Sequence, residues 1–316
     1  MTLPPEFDLI ARHFRPLAGP GALDLSDDAA LLVPPPGREL VLSADAMVAG
    51  VHFLPDDPPH LIGRKLLRVN LSDLAAKGAT PLGYLMTVSA PRATSDAWFA
   101  GFAAGLAADQ REFAITLLGG DTTATPGPLS LSLTAIGHVA PGAMIRRAGA
   151  QPGDGVWVTG TIGDGALGLA VAERRLADAS GHLLGRYRLP RPRVGLALAG
   201  IAGAAMDVSD GLVQDLGHLC RAGRVGATIE AAAVPLSEAA RAAGPDWLGT
   251  CLTGGDDYEV LMALPPGRDA ALAAAAATIG VAVTKIGEFC PGEPAVVVTG
   301  PDGAPMALGA GGWSHF

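Results

Sequence analysis

A chain of 316 residues, 49% hydrophobic and only 17% charged, is long enough for about two domains and too apolar to be disordered. Its 43 glycines and 26 prolines point instead to many tight turns. A net charge of −9 argues against nucleic acid and against an anionic membrane surface as partners.

Cys220, Cys251 and Cys290 are odd in number, widely spaced and form no C-x-x-C, so they read as reduced, packed thiols. The opening "MTLPPEFDLI" lacks the basic and apolar regions of a signal peptide. The longest apolar runs fall short of the ~20 residues that span a bilayer. A cytoplasmic protein is expected.

In chain order, "ELVLSAD" reads as a strand ending in Asp45, and "HLIGRKLLRVNLSDLAAKG" as a helix stopped by Gly78 with Pro81 beyond. A second helix, "DAWFAGFAAGLAADQ", precedes a strand "AITLLGGD" ending in Asp121 and a period-two strand "LSLSLTAIGHV". The pattern breaks around "PGAMIRRAGAQPGDG", which divides the chain into domains 1–142 and 143–316. The second half restarts with strand "GVWVTG", a glycine-rich turn and helix "ALGLAVAERRLA". A basic, proline-broken passage "RYRLPRPR" follows, then a small-residue helix ending at "AAMDVSDG" and the helix "LVQDLGHLCRAG". Strand "ATIEAA", the turn into a strand "LTGGDDYEVLMAL", an alanine-rich helix, "VTKIGEF" and "AVVVTG" complete it. Mixed strands and helices in two halves indicate an α/β or α+β protein.

Aspartates outnumber glutamates 22 to 9, and several stand where chemistry is done. Asp27 and Asp28 precede an apolar segment, and Asp45 and Asp121 close strands. Asp207 and Asp210 flank Ser209 at a helix start, and Asp256 and Asp257 follow two glycines. Each taken alone reads first as a cap or turn former. Asp73 differs: with Leu66, Val69 and Ala76 it lies on one helix face, where an unpaired carboxylate is costly. It needs a cation, a basic side chain such as Lys77 four residues on, or several hydrogen-bond donors. Several converging carboxylates suit Mg²⁺, which bridges to phosphates and serves phosphoryl transfer.

"GDGALG" (Gly163–Gly168) matches G-x-G-x-x-G between a strand and a helix, but no second strand ending in an acid follows. Close helix–strand packing is the better reading of its glycines. No Walker-type motif is present, "DVSDG" fails as an EF-hand, and His52 has no nucleophile partner of a triad.

The ordered strings "SDDAALL", "LSADAMVAGVHF", "VNLSDLAAKGATP", "LLGGDTT", "RRAGAQPGD", "VTGTIGD", "DVSDGLVQDL", "TGGDDYE" and "GWSHF" closely resemble the thiamine-monophosphate kinase family. That family sits in the superfamily typified by aminoimidazole ribonucleotide synthetase. The resemblance, over the whole chain, implies a two-domain fold with a C-terminal mixed-sheet domain. It implies a homodimer whose N-terminal domains share a β-barrel, with ATP and several Mg²⁺ ions in a cleft between the domains. The implied activity moves the γ-phosphoryl group of ATP to thiamine monophosphate; another ATP-using member of the superfamily is the alternative. The implied metal ligands are Asp28, Ser43, Ala44, Asp45, Asp73, Asp121, Asp207 and Asp210, with K⁺ as a candidate further cation. Nucleotide contacts match Gly120, Asp121, Arg147 and Ser209, and acceptor contacts match His52, Asp256 and Trp313. For Trp313 a C-terminal anchor is the competing role.

Three positions depart from the family pattern. "DLSDD" replaces a glycine-rich lead-in to the Asp pair, Ala44 stands where Thr is common, and "GGDD" replaces "GGED". From other classes, a dinucleotide oxidoreductase would bind NAD(P)H without Mg²⁺, and a metal-binding module would transfer nothing.

Overall fold

The computed structural model describes residues 5–300, 302–309 and 311–314. The chain divides into two compact units, residues 1–74 with 79–142, and residues 75–78 with 143–316. Among the described residues, no helix is long and apolar enough to cross a membrane.

The first unit contains α1 (Pro5–Leu9), β1 (Glu39–Val48), α2 (Pro59–Ala76), β2 (Thr80–Pro91), α3 (Asp96–Phe113), β3 (Thr116–Thr125) and β4 (Ser130–Val139). Its four strands form one open sheet in the order β1-β4-β2-β3, with β2 and β3 parallel and the other pairs antiparallel. Among its described residues no closed barrel is present. Along β1, Val41 and Met47 are buried while Leu42, Ala44 and Ala46 are exposed, the period of two that covers only one sheet face. α2 stops at a left-handed Gly78 (φ +70°), and the Ala79 N–H closes onto the Leu74 carbonyl at 2.8 Å. α2 and α3 are joined by Arg64 and Arg68, each 2.7 Å from the fully buried Asp109 carboxylate.

The second unit contains β5 (Gly155–Thr159), α4 (Asp164–Ala172), α5 (His182–Arg188), β6 (Ala204–Asp207), α6 (Leu212–Gly223), β7 (Gly226–Glu230), α7 (Glu238–Ala242), α8 (Leu248–Thr253), β8 (Val260–Leu264), α9 (Asp269–Thr278), β9 (Val283–Cys290) and β10 (Val296–Thr299). Its six strands run β10-β7-β9-β5-β8-β6, antiparallel except for β10 with β7. Central β8 is buried on both faces. Leu261 and Ala263 join the core under α6, and Val260, Met262 and Leu264 join the core under α9.

Several expectations are corrected. Asp45 and Asp121 do not end their strands; both lie inside, because ladder hydrogen bonds continue after the apolar residues stop. The central strand β2 was not foreseen. The expected small-residue helix before "MDVSDG" is a run of turns with left-handed Gly195 (φ +89°) and Gly200 (φ +73°), followed by β6. Ala204 and Met206 point into one core and Ala205 into the other, so the alternation of a two-sided strand wins over small-residue helix propensity. α4 ends at Ala172, before "ERRLA", and the "RYRLPRPR" passage begins inside a helix, α5.

Candidate functional site

In the first unit, the face of β1 that carries Val41 and Met47 also carries Ser43 and Asp45, and it meets α2. The Ser43 hydroxyl donates to the Asp73 carboxylate, and the Asp45 N–H donates to Asn70 Oδ1 at 3.1 Å. Asn70 is itself held by a 2.9 Å bond to the Leu66 carbonyl. Asp73 therefore sits in an apolar stripe because the strand opposite offers polar side chains at alternate positions. Lys77, the basic candidate partner, belongs with the second unit, where its ammonium donates to the Ala205 carbonyl at 2.7 Å. The Ala44 side chain lies on the other, exposed face. After β1, His52 Nδ1 accepts the Val48 N–H at 3.0 Å. That bond leaves the neutral ring carrying its proton on Nε2.

A cleft of about 650 Å³ in the same unit is lined by Asp27, Asp28, Gly120 and Asp121, with Phe14 and Leu117 on its apolar wall. Gly120 is required there: at its φ of +157°, a Cβ would lie 1.7 Å from the Met86 carbonyl oxygen. The Asp27 carboxylate accepts the Asp28 N–H at 2.8 Å. At the start of the "DLSDD" lead-in, Asp24 and Leu25, with Leu23 just before them, take left-handed backbone at φ +59°, +53° and +50°. The departure from a glycine-rich sequence thus places side chains where glycine is favoured.

In the second unit, Asp207 closes β6 at 5% exposure, and the turn Val208–Gly211 leads into α6. From the first turn of that helix, Asp215 reaches back. One of its oxygens accepts the N–H groups of Ser209, Asp210 and Gly211 at 3.0, 3.0 and 3.1 Å. Burial pushes this carboxyl up to about 7, helped by the Asp210 charge and opposed by the three N–H bonds. Beside the turn runs the Asp256 loop: the Asp256 N–H donates to the Ser209 carbonyl at 2.9 Å and the Tyr258 N–H to the Val208 carbonyl at 2.8 Å. The Trp313 N–H donates to the Asp210 carbonyl at 3.0 Å, and Gln214 bridges the Trp313 carbonyl (2.6 Å) and the Asp210 carboxylate (3.3 Å). The Trp313 side chain is 55% exposed. His315 and Phe316 of the "GWSHF" string lie outside the described residues.

The structure thus brings Asp207, Ser209, Asp210, Asp256 and Trp313 together. Arg147, exposed, is near enough to His218 to join burial and Arg221 in lowering that imidazole. Among the described residues, Asp210, Asp215 and His218 form the one group of three carboxylate or imidazole ligands within 4.8 Å of one another. Asp28, Asp45, Asp73 and Asp121 belong to no such group of three among the described residues. Asp215 Oδ1 is buried with no hydrogen-bond partner. The carboxylates and the Ser43 hydroxyl marked in the sequence, without thiolate, are a donor set that fits a hard cation such as Mg²⁺; the clustered group adds the His218 imidazole.

Asp215 and the buried arginines carry no role in the sequence analysis, and Asp257 stands there only as a turn or cap candidate beside Asp256. Asp215 carried one signal, a carboxylate in the first turn of a helix. The others act across long separations. Asp257, fully buried, accepts the N–H groups of Gly163 (2.7 Å) and Gly165 (3.0 Å), so the N–H groups at the start of α4 are taken up by the chain's own carboxyl. Burial raises the Asp257 carboxyl well above the usual carboxylate range, opposed by those two bonds. This disposes of "GDGALG" as a phosphate cradle: a Cβ at Gly168 would also meet the Leu183 carbonyl oxygen at 2.1 Å. Arg186 and Arg193 of the basic passage are not a surface patch. They bind the buried Glu259 carboxylate at 3.0 and 2.6 Å, and Thr159 donates to it at 2.6 Å.

Residues 26–139 match the N-terminal domain of AIR synthase related proteins, and residues 151–299 match their C-terminal domain. The chain is 47% identical to the thiamine-monophosphate kinase of Caulobacter vibrioides, over 99% of this chain and 91% of that protein. The crystal structure of thiamine-monophosphate kinase from Stenotrophomonas maltophilia K279a superposes with a TM-score of 0.80 at 39% identity, covering 89% of this chain and 91% of that one. AaThiL complexed with AMPPCP and TMP superposes with a TM-score of 0.79 at 29% identity, covering 92% and 91%. The chain belongs to the thiamine-monophosphate kinase family of AIR synthase related proteins.

Proposed function

We infer that this chain transfers the γ-phosphoryl group of ATP to thiamine monophosphate, releasing ADP and thiamine diphosphate. The observation that carries this is the hydrogen-bonded meeting of Ser209, Asp210, Asp256 and Trp313. It occurs in a chain 47% identical over nearly its whole length to a thiamine-monophosphate kinase. The structural relative that holds AMPPCP and TMP together supports a nucleotide and a phosphorylated acceptor in one enzyme.

The acceptor phosphate carries roughly two negative charges near neutral pH and is itself the nucleophile, so the chain needs no general base. What it must supply is position and countercharge. Arg147 is the fixed cation assigned to the nucleotide, together with the Gly120–Asp121 backbone and Ser209. His52 offers an Nε2 proton toward the acceptor, Asp256 holds it, and the exposed Trp313 indole presents a π face to the cationic thiazolium. Asp28, Ser43, Asp45, Asp73, Asp121, Asp207 and Asp210 are proposed to hold Mg²⁺ through side-chain oxygens, and Ala44 through its carbonyl. Bound Mg²⁺ supplies charge neutralisation and alignment of donor and acceptor.

The homodimer belongs to this proposal as well. On the open face of the first sheet, Leu42 and Leu40 are 61% and 41% exposed. Ala44 and Leu85 share Thr134 as a cross-strand neighbour, which places the 41%-exposed Leu85 on that face. A second copy covering it would give the shared barrel. Leu42→Asp is expected to shift the light-scattering mass from dimer to monomer.

The reaction is tested by ADP release from ATP and Mg²⁺ with thiamine monophosphate, thiamine or no acceptor, in K⁺ or in Na⁺, with product identified by chromatography. Stimulation by the monophosphate alone, abolished by EDTA, is expected. Equal release without acceptor would move the substrate to that of another superfamily member.

A further inference from the structure

The loop that carries Asp256 is held from behind by residues that the reaction does not touch. Burial alternates along it: Asp256 and Tyr258 are half-buried, whereas Asp257 and Glu259 are fully buried. Both half-buried residues take left-handed backbone, Asp256 at φ +69° and Tyr258 at φ +53°. Side chains are disfavoured there, so the surroundings must over-determine the conformation.

Three sets of contacts do so. The Asp257 carboxylate spans the N–H groups of Gly163 and Gly165, one on each oxygen. Arg186, at 6% exposure, donates to the Asp257 carbonyl and to the Glu259 carboxylate, each at 3.0 Å. On the other side, the Asp256 and Tyr258 N–H groups pair with the carbonyls of Ser209 and Val208. The fit is tight: a Cβ at Gly165 would lie 2.3 Å from the Asp256 carbonyl oxygen. The outward side chains then meet each other, the Tyr258 hydroxyl donating to the Asp256 carboxylate at 3.2 Å.

We propose that Asp257 is a positioning residue for acceptor recognition: by tying its carboxylate to Gly163 and Gly165, it fixes the backbone from which Asp256 offers its own carboxylate. This rests on the reading that Asp256 contacts the thiamine phosphate. The glycine-rich turn is then not an empty anion site but the anchor of the acceptor loop. The nucleotide turn has a separate brace, since the Ser209, Asp210 and Gly211 N–H groups are held by Asp215. Loosening Asp257 should therefore weaken the acceptor and spare ATP.

The test is steady-state kinetics of the full-length enzyme carrying Asp257→Asn, Asp256→Ala and both. Asn keeps one acceptor oxygen and turns an amide donor toward the other N–H. Asp257→Asn is expected to raise KM for thiamine monophosphate roughly tenfold and leave KM for ATP within about twofold. The double variant should be no worse than Asp256→Ala, because both act on one contact. Equal rises in both KM values, additive losses, or a fall in kcat with both KM values unchanged would overturn the proposal. An Asp256→Ala variant with unaltered acceptor KM would remove the underlying assignment of Asp256, and the proposal with it. Should Asp257→Asn not fold, Arg186→Lys acts on the same loop through its carbonyl. It is expected to show the same split at about threefold; a lowered Tm without the split would refute the positioning role.

Discussion

Asp73→Asn separates a metal-holding carboxylate from a structural one. Asn matches Asp in shape, and its carbonyl oxygen can still accept the Ser43 hydroxyl, the contact that Asp73 makes across to β1. Stability should change only by the difference between a charged and a neutral hydrogen bond on a half-buried group, about 1 kcal/mol. In a domain of this size that moves Tm by only a few degrees, about 4 °C at most. Activity should respond far more, because the substitution removes one negative charge from a group assigned to hold Mg²⁺ against two phosphates. Loss of one preorganised electrostatic contact of this kind lowers kcat by roughly 10²–10³-fold. The assay pairs thermal unfolding with ADP release over a Mg²⁺ series, in which the apparent Mg²⁺ requirement should also rise. A kcat within threefold of the parent at unchanged Mg²⁺ dependence would refute the assignment and make Asp73 a strand-facing partner of Ser43. Collapse of the fold would refute it equally.

Trp313→Ala is expected to raise KM for thiamine monophosphate much more than KM for ATP. Stability should stay within about 0.5 kcal/mol, since Trp313 docks through its backbone N–H and carbonyl and its side chain is largely exposed; equal KM effects would indicate packing. Asp215 carries a pH signature. With its carboxyl at about 7 in the fold and near 3.8 when unfolded, the folded chain retains a proton that the unfolded chain has released. Its contribution is therefore full below about pH 4 and is lost as pH rises to about 7, by up to roughly 4 kcal/mol. In EDTA, denaturant titrations of Asp215→Asn should lack this slope; a slope identical to the parent's would contradict the assignment. Asp24→Gly, which relieves one left-handed side chain, should raise stability by about 1 kcal/mol in urea unfolding. Gly120→Ala, with its Cβ 1.7 Å from the Met86 carbonyl oxygen, should cost about 3 kcal/mol or more, and a neutral result would mean that β2 and β3 separate easily.

Much of this protein was legible without coordinates because the signals were local. The span of α2, its stop at Gly78 and the out-of-place Asp73 follow from periodicity and from glycine's access to left-handed backbone. The strings around Asp45, Asp121, Asp207 and Asp256, taken in order, marked the family. What stayed hidden depends on partners far along the chain. β2 and β6 are strands because neighbouring strands complete their ladders, not because their residues alternate plainly; "AAMD" is buried on both faces and looks the same as a small-residue helix. The carboxyl that fills the "GDGALG" turn comes from Asp257, and two arginines of "RYRLPRPR", Arg186 and Arg193, serve Glu259, 73 and 66 residues away in sequence. A carboxylate or guanidinium can be read from sequence as a charge, but whether it faces solvent, a substrate or a buried countercharge is decided only when distant segments close around it. Sequence by itself marked which residues could do chemistry here; the tertiary structure decided which charges are taken up inside the fold, because a buried charge such as that of Asp109 or Glu259 must find its partner there.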